Sequence, residues 1–295
     1  MSVRTTLSLL AAATLAATAL AAAPAATTTA PSAAPEPDRW ADADEATIYP
    51  SVYMTTNGAG CTSNFVFEQF TETTDEAGNV TIERDVYLGY AAHCAGLGTN
   101  TDTDGCATGS EPIGTEVQID GASQPGRLAY SSWATMVERG ETPGSDVCSY
   151  NDFALVEIDD ADHDKVNPSV PFFGGPTGVG GATSLGDDVY SVGNSGLRAG
   201  IQQLGPKVEA SLGMFYSDWS HVLYAVTPGI PGDSGSGHMN AAGEAIGVSS
   251  TLYAAPFAGA NGVTDLQHSL DYLAAHTDLE PILAEGTEPF SALLP

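Results

Sequence analysis

The heptapeptide Pro231-Gly232-Asp233-Ser234-Gly235-Ser236-Gly237 lies between two short apolar stretches, Val222–Val226 and Ala245–Ser250. Stretches of this length, bounded by Gly, Pro, Asn or Asp, are typical of β-strands. Glycines on both sides of Ser234 let backbone N–H groups turn outward where a larger residue would restrict the chain. The heptapeptide is therefore predicted to be a turn that presents a serine hydroxyl next to a strand.

The same strand pattern recurs toward the N-terminus. Five further stretches fit it: Asn64–Glu68, Val86–Ala91, Glu116–Ile119, Phe153–Ile158 and Val189–Val192. The Gly/Pro-rich residues 172–186 separate the last of these from the others and are predicted to connect two halves. The sequence therefore predicts an all-β body in two parts.

Helical periodicity persists for three turns in one place, residues 264–276. Leu266, Leu270 and Leu273 share one face there, and Thr264 or Asp265 is suited to cap the first turn. We therefore expect one C-terminal helix over 264–276, followed by a tail over 277–295.

Composition limits the possible partners. The 295 residues include 33 Gly and 18 Pro, and 42% are apolar, which fits one large domain or two small ones with many turns. The formal charge is −29, from 37 acidic and 8 basic residues. Binding to nucleic acid requires cations that replace phosphate counterions, so nucleic acid is excluded as a partner, and anionic membrane surfaces are disfavoured.

The N-terminus has the pattern of a secretory signal peptide over residues 1–26. Arg4 precedes an apolar stretch from Leu7 to about Ala22, and small residues follow it. A membrane anchor is the alternative, because the stretch is near the lower length limit for a spanning helix. Its alanine content favours removal, which predicts a secreted, extracellular protein that is free of the membrane. Residues 27–44 are predicted to be a disordered leader or short pro-segment, and the body is expected to begin at residue 45.

Four cysteines, Cys61, Cys94, Cys106 and Cys148, predict two disulfides in an exported chain. Three connectivities are possible. The cysteines form no C-x-x-C pair and the histidines do not cluster near them, which disfavours a zinc site.

Two further motifs contain candidate catalytic residues: Tyr90-Ala91-Ala92-His93-Cys94 and Asn151-Asp152-Phe153-Ala154-Leu155-Val156. A serine hydroxyl needs a base to become a nucleophile, and histidine is the usual base. A buried carboxylate fixes the tautomer of that histidine, and N–H groups near glycines stabilise an oxyanion. His93, Asp152 and Ser234 supply one group of each kind, and Gly232 supplies the loop.

These three motifs, in the order His, Asp, Ser, resemble the signature regions of trypsin/chymotrypsin-type serine proteases, most closely the secreted bacterial branch. In layout the resemblance covers residues 48–276. It implies two six-stranded antiparallel β-barrels (chymotrypsin-like), over about 45–170 and about 185–260, with the C-terminal helix. It also implies the disulfide Cys61–Cys94 beside the catalytic histidine, which leaves Cys106 to pair with Cys148.

The resemblance implies a serine endopeptidase that acts on protein or peptide substrates, and we expect it to be a monomer. Ser234 would be the nucleophile, His93 the general base and acid, and Asp152 the group that orients His93. The N–H groups of Gly232 and Ser234 would form the oxyanion hole, and Ser250 would contact the Asp152 carboxylate.

The chain departs from the family's pattern in two places. Residues 47–53 lack the Ile-Val-Gly-Gly start, so activation by a new N-terminus that pairs with Asp233 is not assumed, and Asp233 is expected to shape the oxyanion loop. In the specificity pocket, Pro228 stands where enzymes that cut after Lys or Arg carry Asp, which disfavours those substrates. Thr251 and Leu252 are expected to line the pocket. Leu252 would narrow it, so we expect a small apolar substrate side chain or no selectivity.

One acidic loop has the spacing of a calcium site: Asn100, Asp102, Asp104 and Glu111. No helical pattern flanks it, and Cys106 occupies a ligand position. An acidic solvated turn is therefore favoured, and no cofactor is expected unless calcium binds here.

Two other functions stay open. The residues Gly232-Asp233-Ser234 and Asp265-Leu266-Gln267-His268 mimic elements of lipase-like SGNH hydrolases, although those enzymes need an α/β domain between the two elements. A binding protein on an inactive protease fold is the other alternative, and an occluding Leu252 is its one supporting hint. Five histidines are interpreted as surface or packing residues: His163, His221, His238, His268 and His276.

Overall fold

The short apolar stretches form fourteen β-strands in the part of the chain that the structure, a computed structural model, describes: residues 39–75, 77–99 and 102–293. The predicted signal peptide and residues 27–38 of the predicted leader lie outside these residues. Eight strands form an N-terminal antiparallel sheet in the order β14-β3-β4-β7-β6-β5-β1-β2. They are β1 (Tyr53–Thr56), β2 (Ala59–Thr62), β3 (Val66–Thr74), β4 (Val80–Tyr90), β5 (Glu116–Ile119), β6 (Gly126–Ser131), β7 (Ala154–Glu157) and β14 (Ile282–Leu283).

The other six strands close into an antiparallel barrel in the order β10-β13-β12-β11-β8-β9. They are β8 (Leu185–Val192), β9 (Pro206–Leu212), β10 (Ser220–Ala225), β11 (Gly237–Asn240), β12 (Ala245–Leu252) and β13 (Asn261–Asp265). Four α-helices accompany the strands: α1 (Gly105–Thr108), α2 (Ser132–Arg139), α3 (Asp146–Tyr150) and α4 (Leu266–His276). None of the described helices is long and apolar enough to cross a membrane.

This architecture confirms the expected all-β fold in two parts with a C-terminal helix, and the N-terminal half differs from the prediction in its strand count. It has eight strands instead of six, in part because the predicted tail contributes β14, which pairs Ile282 with Glu68 and Leu283 with Phe67 on β3. The helix begins at Leu266 because the Asp265 side chain accepts a hydrogen bond from the His268 N–H (2.9 Å) and so caps it. Thr264 belongs to β13.

Strand bounds agree with prediction where the strand is buried. The predicted stretches 64–68 and 86–91 overlap the buried ends of β3 and β4, whereas the outer parts of this long hairpin are exposed and mostly polar. Strand β9 reverses the usual polarity pattern of a barrel strand: its polar residues Lys207, Glu209 and Ser211 are buried inside the barrel, and the alternate residues Val208 and Ala210 are exposed. An apolar-inward pattern therefore could not find β9.

Both disulfides have the implied pairing. Cys61 on β2 bonds to Cys94 in the 3-10 turn Ala92–Ala95 (Cα–Cα 6.2 Å), and Cys106 on α1 bonds to Cys148 on α3 (Cα–Cα 5.3 Å). The first bridge attaches the turn that carries His93 to strand β2.

Residues 39–44 of the predicted leader or short pro-segment contact the folded body. The Ala41 N–H donates to the Val166 carbonyl (2.9 Å), and Asn167 Nδ2 donates to the Ala41 carbonyl (2.7 Å). Arg39 pairs with the buried Glu68 carboxylate (2.8 Å). Contacts that local sequence does not reveal hold this segment on the body.

Buried carboxylates bind five of the eight Lys and Arg residues. Glu68 accepts from Arg39 and Arg84, Asp162 from Lys165, and Asp233 from Arg198 and Lys207. Each of the three acids is at most 1% exposed. Desolvating a carboxylate is costly unless it is paired, so the few cations in this acidic chain stabilise its interior.

Replacing Arg84 should therefore destabilise the protein far more than the same change at a surface pair. Arg84→Met leaves Glu68 buried with Arg39 alone and removes a guanidinium that lies 4.2 Å from the Trp40 ring centroid. We expect a loss of about 1–3 kcal/mol in the free energy of unfolding, measured by guanidinium denaturation. The control, Arg127→Met, breaks an exposed 3.6 Å pair with Glu116 and should cost about 1 kcal/mol or less. Equal losses would contradict this account.

Candidate active site

A cleft of about 380 Å³ is lined by residues of both halves of the molecule. The N-terminal sheet and its loops contribute His93 and Asp152, and the barrel contributes Gly232, Ser234 and Ser250. The structure thus brings together every residue predicted for the triad, the oxyanion hole and triad support. A larger cavity, of about 610 Å³, is lined by none of them.

His93 lies in the 3-10 turn that directly follows β4, next to the disulfide of Cys94. Its Nδ1 is 2.7 Å from Asp152 Oδ2, and its backbone N–H donates to Asp152 Oδ1 (2.8 Å). One carboxylate therefore fixes both the ring and the backbone of His93. Because Nδ1 faces the carboxylate, Nε2 is the nitrogen left for proton transfer.

Asp152 lies between α3 and β7 and is 4% exposed. Ser250 Oγ, at the outer part of β12, donates to Asp152 Oδ2 (2.6 Å), as the resemblance implies. The carboxylate therefore accepts three hydrogen bonds from two parts of the fold.

Burial and pairing act on the two groups in opposite directions. Burial favours the neutral form of His93, but the charge and hydrogen bond of Asp152 outweigh it and raise the pKa of His93 above 6.5. Burial likewise disfavours the Asp152 carboxylate, and His93 together with the hydrogen bonds from Ser250 and the His93 backbone lowers the pKa of Asp152 below 3.8. At neutral pH Asp152 is therefore ionised and orients the imidazole.

Ser234 lies in the turn before β11 and lines the same cleft as His93. Its carbonyl accepts a hydrogen bond from the Thr62 N–H (2.8 Å). Its Oγ has no hydrogen-bond partner among the described residues, so the Ser234–His93 hydrogen bond is not formed. Bonds of this kind often tighten only when substrate is bound.

The loop before Ser234 is a tight turn closed by the Asp233 N–H, which donates to the Ile230 carbonyl (2.9 Å). Pro231 and Gly232 are its central residues, and Gly232 has φ +97°, as a type II turn requires. Within residues 39–75, 77–99 and 102–293, neither the Gly232 N–H nor the Ser234 N–H has an acceptor. These are the two donors predicted for the oxyanion hole.

Asp233 anchors this loop from inside. Arg198 binds both of its carboxylate oxygens (Nη2–Oδ2 2.6 Å), and Lys207 Nζ donates to Oδ2 (2.8 Å). Burial alone would raise the pKa of Asp233, but these two cations lower it. The sequence analysis predicted neither partner. Because the chain has only eight Lys and Arg residues, each of them was a candidate partner for a buried acid.

The pocket beside Ser234 differs in part from the prediction. Thr251 and Leu252 line it as expected, but Pro228 does not, and its neighbour Gly229 does. Asn261, which sequence reasoning missed, also lines it and is 2% exposed. Asn261 Oδ1 accepts from the Gly229 N–H (2.8 Å), and Asn261 Nδ2 donates to the buried Glu209 (2.8 Å). No motif marks Asn261, because its role depends on a partner 52 residues away.

Glu209 lies inside the barrel behind Asn261. His238 Nε2 is 3.0 Å from its Oε1, and Ser191 Oγ donates to the same oxygen (2.7 Å). Burial disfavours the charged form, but His238, these hydrogen bonds and Lys207 together lower the pKa of Glu209 to about 2. His238 is thus a buried residue that contacts Glu209 inside the barrel.

The candidate calcium loop is only partly described, since Asn100 lies outside the described residues. Asp104 caps α1, because its Oδ1 accepts from the Cys106 and Ala107 N–H groups (3.0 Å each). Asp102 Oδ2 accepts from the Thr99 N–H (2.6 Å). These carboxylates already bind backbone donors, and calcium binding stays an untested prediction that includes Glu111.

The lipase-like alternative finds no support in the geometry. Asp265 caps α4 and pairs with the fully buried His221 (3.0 Å) as well as with His268 (2.8 Å). Neither Asp265 nor His268 lines the cleft that contains Ser234. These residues stabilise the junction of barrel and helix.

No protein-family model and no curated protein matches the chain. Among solved structures it is similar to Protease A of Thermobifida fusca, with 17% identity and a TM-score of 0.48 over 81% of this chain and 99% of that one. It is also similar to a glutamic acid-specific serine protease (13% identity, TM-score 0.46, 80% and 100% of the two chains). A third similar structure is the Nocardiopsis protease (16% identity, TM-score 0.43, 80% and 98%). All three of these structures are described as proteases.

Proposed function

We propose that the protein is a secreted serine endopeptidase that hydrolyses peptide bonds through an acyl-enzyme intermediate. One observation carries the proposal: the Asp152–His93 pair shares its cleft with Ser234 and with two N–H groups that lack acceptors among the described residues. The predicted signal peptide and the two disulfides support an extracellular site of action.

The groups have complementary roles in this mechanism. Ser234 Oγ attacks the scissile carbonyl while His93 Nε2 takes its proton, and the Gly232 and Ser234 N–H groups stabilise the oxyanion. His93 then gives the proton to the leaving amine, which departs and leaves an ester on Ser234. Water, activated by His93, hydrolyses that ester and restores the serine.

Internal cations take the place of a new N-terminus in this proposal. Asp233 already has two positively charged partners, Arg198 and Lys207, within the fold. Removal of the leader therefore need not supply an ammonium group to order the oxyanion loop.

A fluorophosphonate probe tests the nucleophile. The secreted chain should be labelled stoichiometrically on Ser234, located by mass spectrometry, because the probe needs an activated serine and an oxyanion hole. Ser234→Ala and His93→Ala should both abolish labelling. Folded wild-type protein that stays unlabelled would contradict the proposal and favour a binding protein on an inactive protease fold.

The pH dependence of catalysis tests the His93–Asp152 pair. His93 acts as a base only when neutral and its pKa is raised, so kcat/KM on a peptide substrate should fall as the pH drops through a midpoint above 6.5. Asp152→Asn removes the charge that raises this pKa, so its midpoint should lie lower, and kcat should fall by about 10⁴-fold. A midpoint that Asp152→Asn leaves unchanged would contradict the assignment.

The uncharged residues that line the cleft beside Ser234 should determine which substrate side chains are accepted. Asn261 lines the cleft with both amide atoms already hydrogen-bonded, to the Gly229 N–H and to the buried Glu209 carboxylate. We expect cleavage after small uncharged residues and poor cleavage after Lys or Arg, measured with a peptide library. Asn261→Ala should raise the kcat/KM ratio of Phe over Ala substrates, because it replaces a side chain that lines the cleft with a smaller one. An unchanged ratio would show that Asn261 does not limit the pocket.

A further inference from the structure

We propose that Thr62 and Ser195 are positioning residues that hold the oxyanion loop in its active orientation, one from each half of the molecule. Ser195 Oγ donates to the Pro231 carbonyl (2.5 Å), and Thr62 Oγ1 donates to the Gly232 carbonyl (2.7 Å). The carbonyls on both sides of the Gly232 N–H are therefore held by hydroxyl groups. The inference rests on the proposed peptidase function, because it assigns a role in that reaction.

The Pro231–Gly232 peptide needs such restraint, because its turn permits two orientations. In a planar trans peptide the carbonyl and the N–H point in opposite directions, so a bond to the Pro231 carbonyl also sets the direction of the Gly232 N–H. A type I turn has the same closing hydrogen bond as a type II turn, with the central peptide rotated, and Pro at its second position suits both. Gly232 has no side chain to oppose the rotation. Neither Pro231 nor the bond from Asp233 to Ile230 therefore selects the active form.

The two hydroxyl groups are fixed donors. Thr62 and Ser195 are 0% and 2% exposed. Thr62 Oγ1 accepts from the Asn194 N–H (3.0 Å), and Ser195 Oγ accepts from the Leu197 N–H (3.2 Å). Since each oxygen already accepts from a backbone donor, its own proton is left for the carbonyl of the oxyanion loop.

Thr62 also connects this loop to the catalytic histidine. It lies on β2 next to Cys61, whose disulfide partner Cys94 follows His93. Its backbone N–H donates to the Ser234 carbonyl (2.8 Å). One end of β2 thus contacts the elements that carry the base, the nucleophile and the oxyanion hole, although Thr62 and Gly232 are 170 residues apart.

Removing either hydroxyl should weaken binding of the transition state and leave binding of the ground state nearly unchanged. The oxyanion forms only during the reaction, so kcat should fall while KM stays close to the wild-type value. Complete loss of one oxyanion donor costs about 10²–10³-fold in kcat. A loop that populates both orientations should show part of that loss, and we expect a fall of about 10-fold or more for Thr62→Val and for Ser195→Ala.

Matched variants separate this role from a purely structural one. Thr62→Val keeps the shape and loses the hydroxyl, whereas Thr62→Ser keeps the hydroxyl and should restore kcat to near the wild-type value. Thr56→Val removes another buried threonine hydroxyl, 3.1 Å from Tyr90 Oη and bonded to no residue of the oxyanion loop, and should leave kcat unchanged. Steady-state kinetics on a peptide substrate, with inhibition by a peptide aldehyde whose adduct carries an oxyanion, measures each effect.

The outcomes are distinct. A fall in kcat with loss of aldehyde affinity in Thr62→Val or Ser195→Ala, absent from Thr62→Ser and Thr56→Val, supports the inference. Wild-type kcat in both Thr62→Val and Ser195→Ala overturns it and leaves the peptidase proposal intact. An equal fall in Thr56→Val also overturns it, since any buried hydroxyl would then matter. A wild-type protein that neither reacts with the fluorophosphonate nor cleaves peptides refutes both proposals.

Discussion

The buried carboxylate of Asp233 is the constraint on which the barrel side of the site depends. A carboxylate that is 1% exposed is tolerated only when cations and N–H groups compensate its charge. Arg198 and Lys207 supply the cations, and the N–H groups of Ile230 and Ser195 complete the shell at 3.2 and 3.3 Å. The contacts that compensate the charge of Asp233 thus connect the turn that carries Ser234 with the loop that carries Arg198 and with strand β9.

The strongly acidic composition has a structural counterpart. Buried acids take five of the eight Lys and Arg residues, and each of these acids is nearly inaccessible to solvent. The surface is left with most of the 37 acidic side chains and few cations to pair with them. Salt screens exposed charges much more than buried pairs, so the interior network should persist where the repulsion among surface acids is screened.

The sequence predicted the parts of the site that depend on local backbone geometry. His93, Asp152 and Ser234 each lie in a short motif that is local in sequence, and the family resemblance of these motifs predicted the contact between Ser250 and Asp152. Asn261 and Thr62 escaped prediction because their partners are 52 and 170 residues away. Strand β14 was missed for a related reason: it pairs only two residues with β3, too few for any periodicity.

Strand β9 was missed because it breaks the usual rule of apolar residues inward, and the same inversion connects the features of the barrel. Its inward face holds Lys207, which binds Asp233 of the oxyanion loop, and Glu209, which accepts a hydrogen bond from Asn261, a residue that lines the cleft. Ser211, the third inward residue, bonds to Thr183 (2.7 Å), which in turn contacts His221. A separate apolar cluster in this region has only four members, Val189, Leu223, Ile246 and Val263. Directional hydrogen bonds fix relative positions more narrowly than apolar contacts do. The polar inward face of β9 therefore suits a barrel that must hold the oxyanion loop and Asn261 in fixed positions relative to each other.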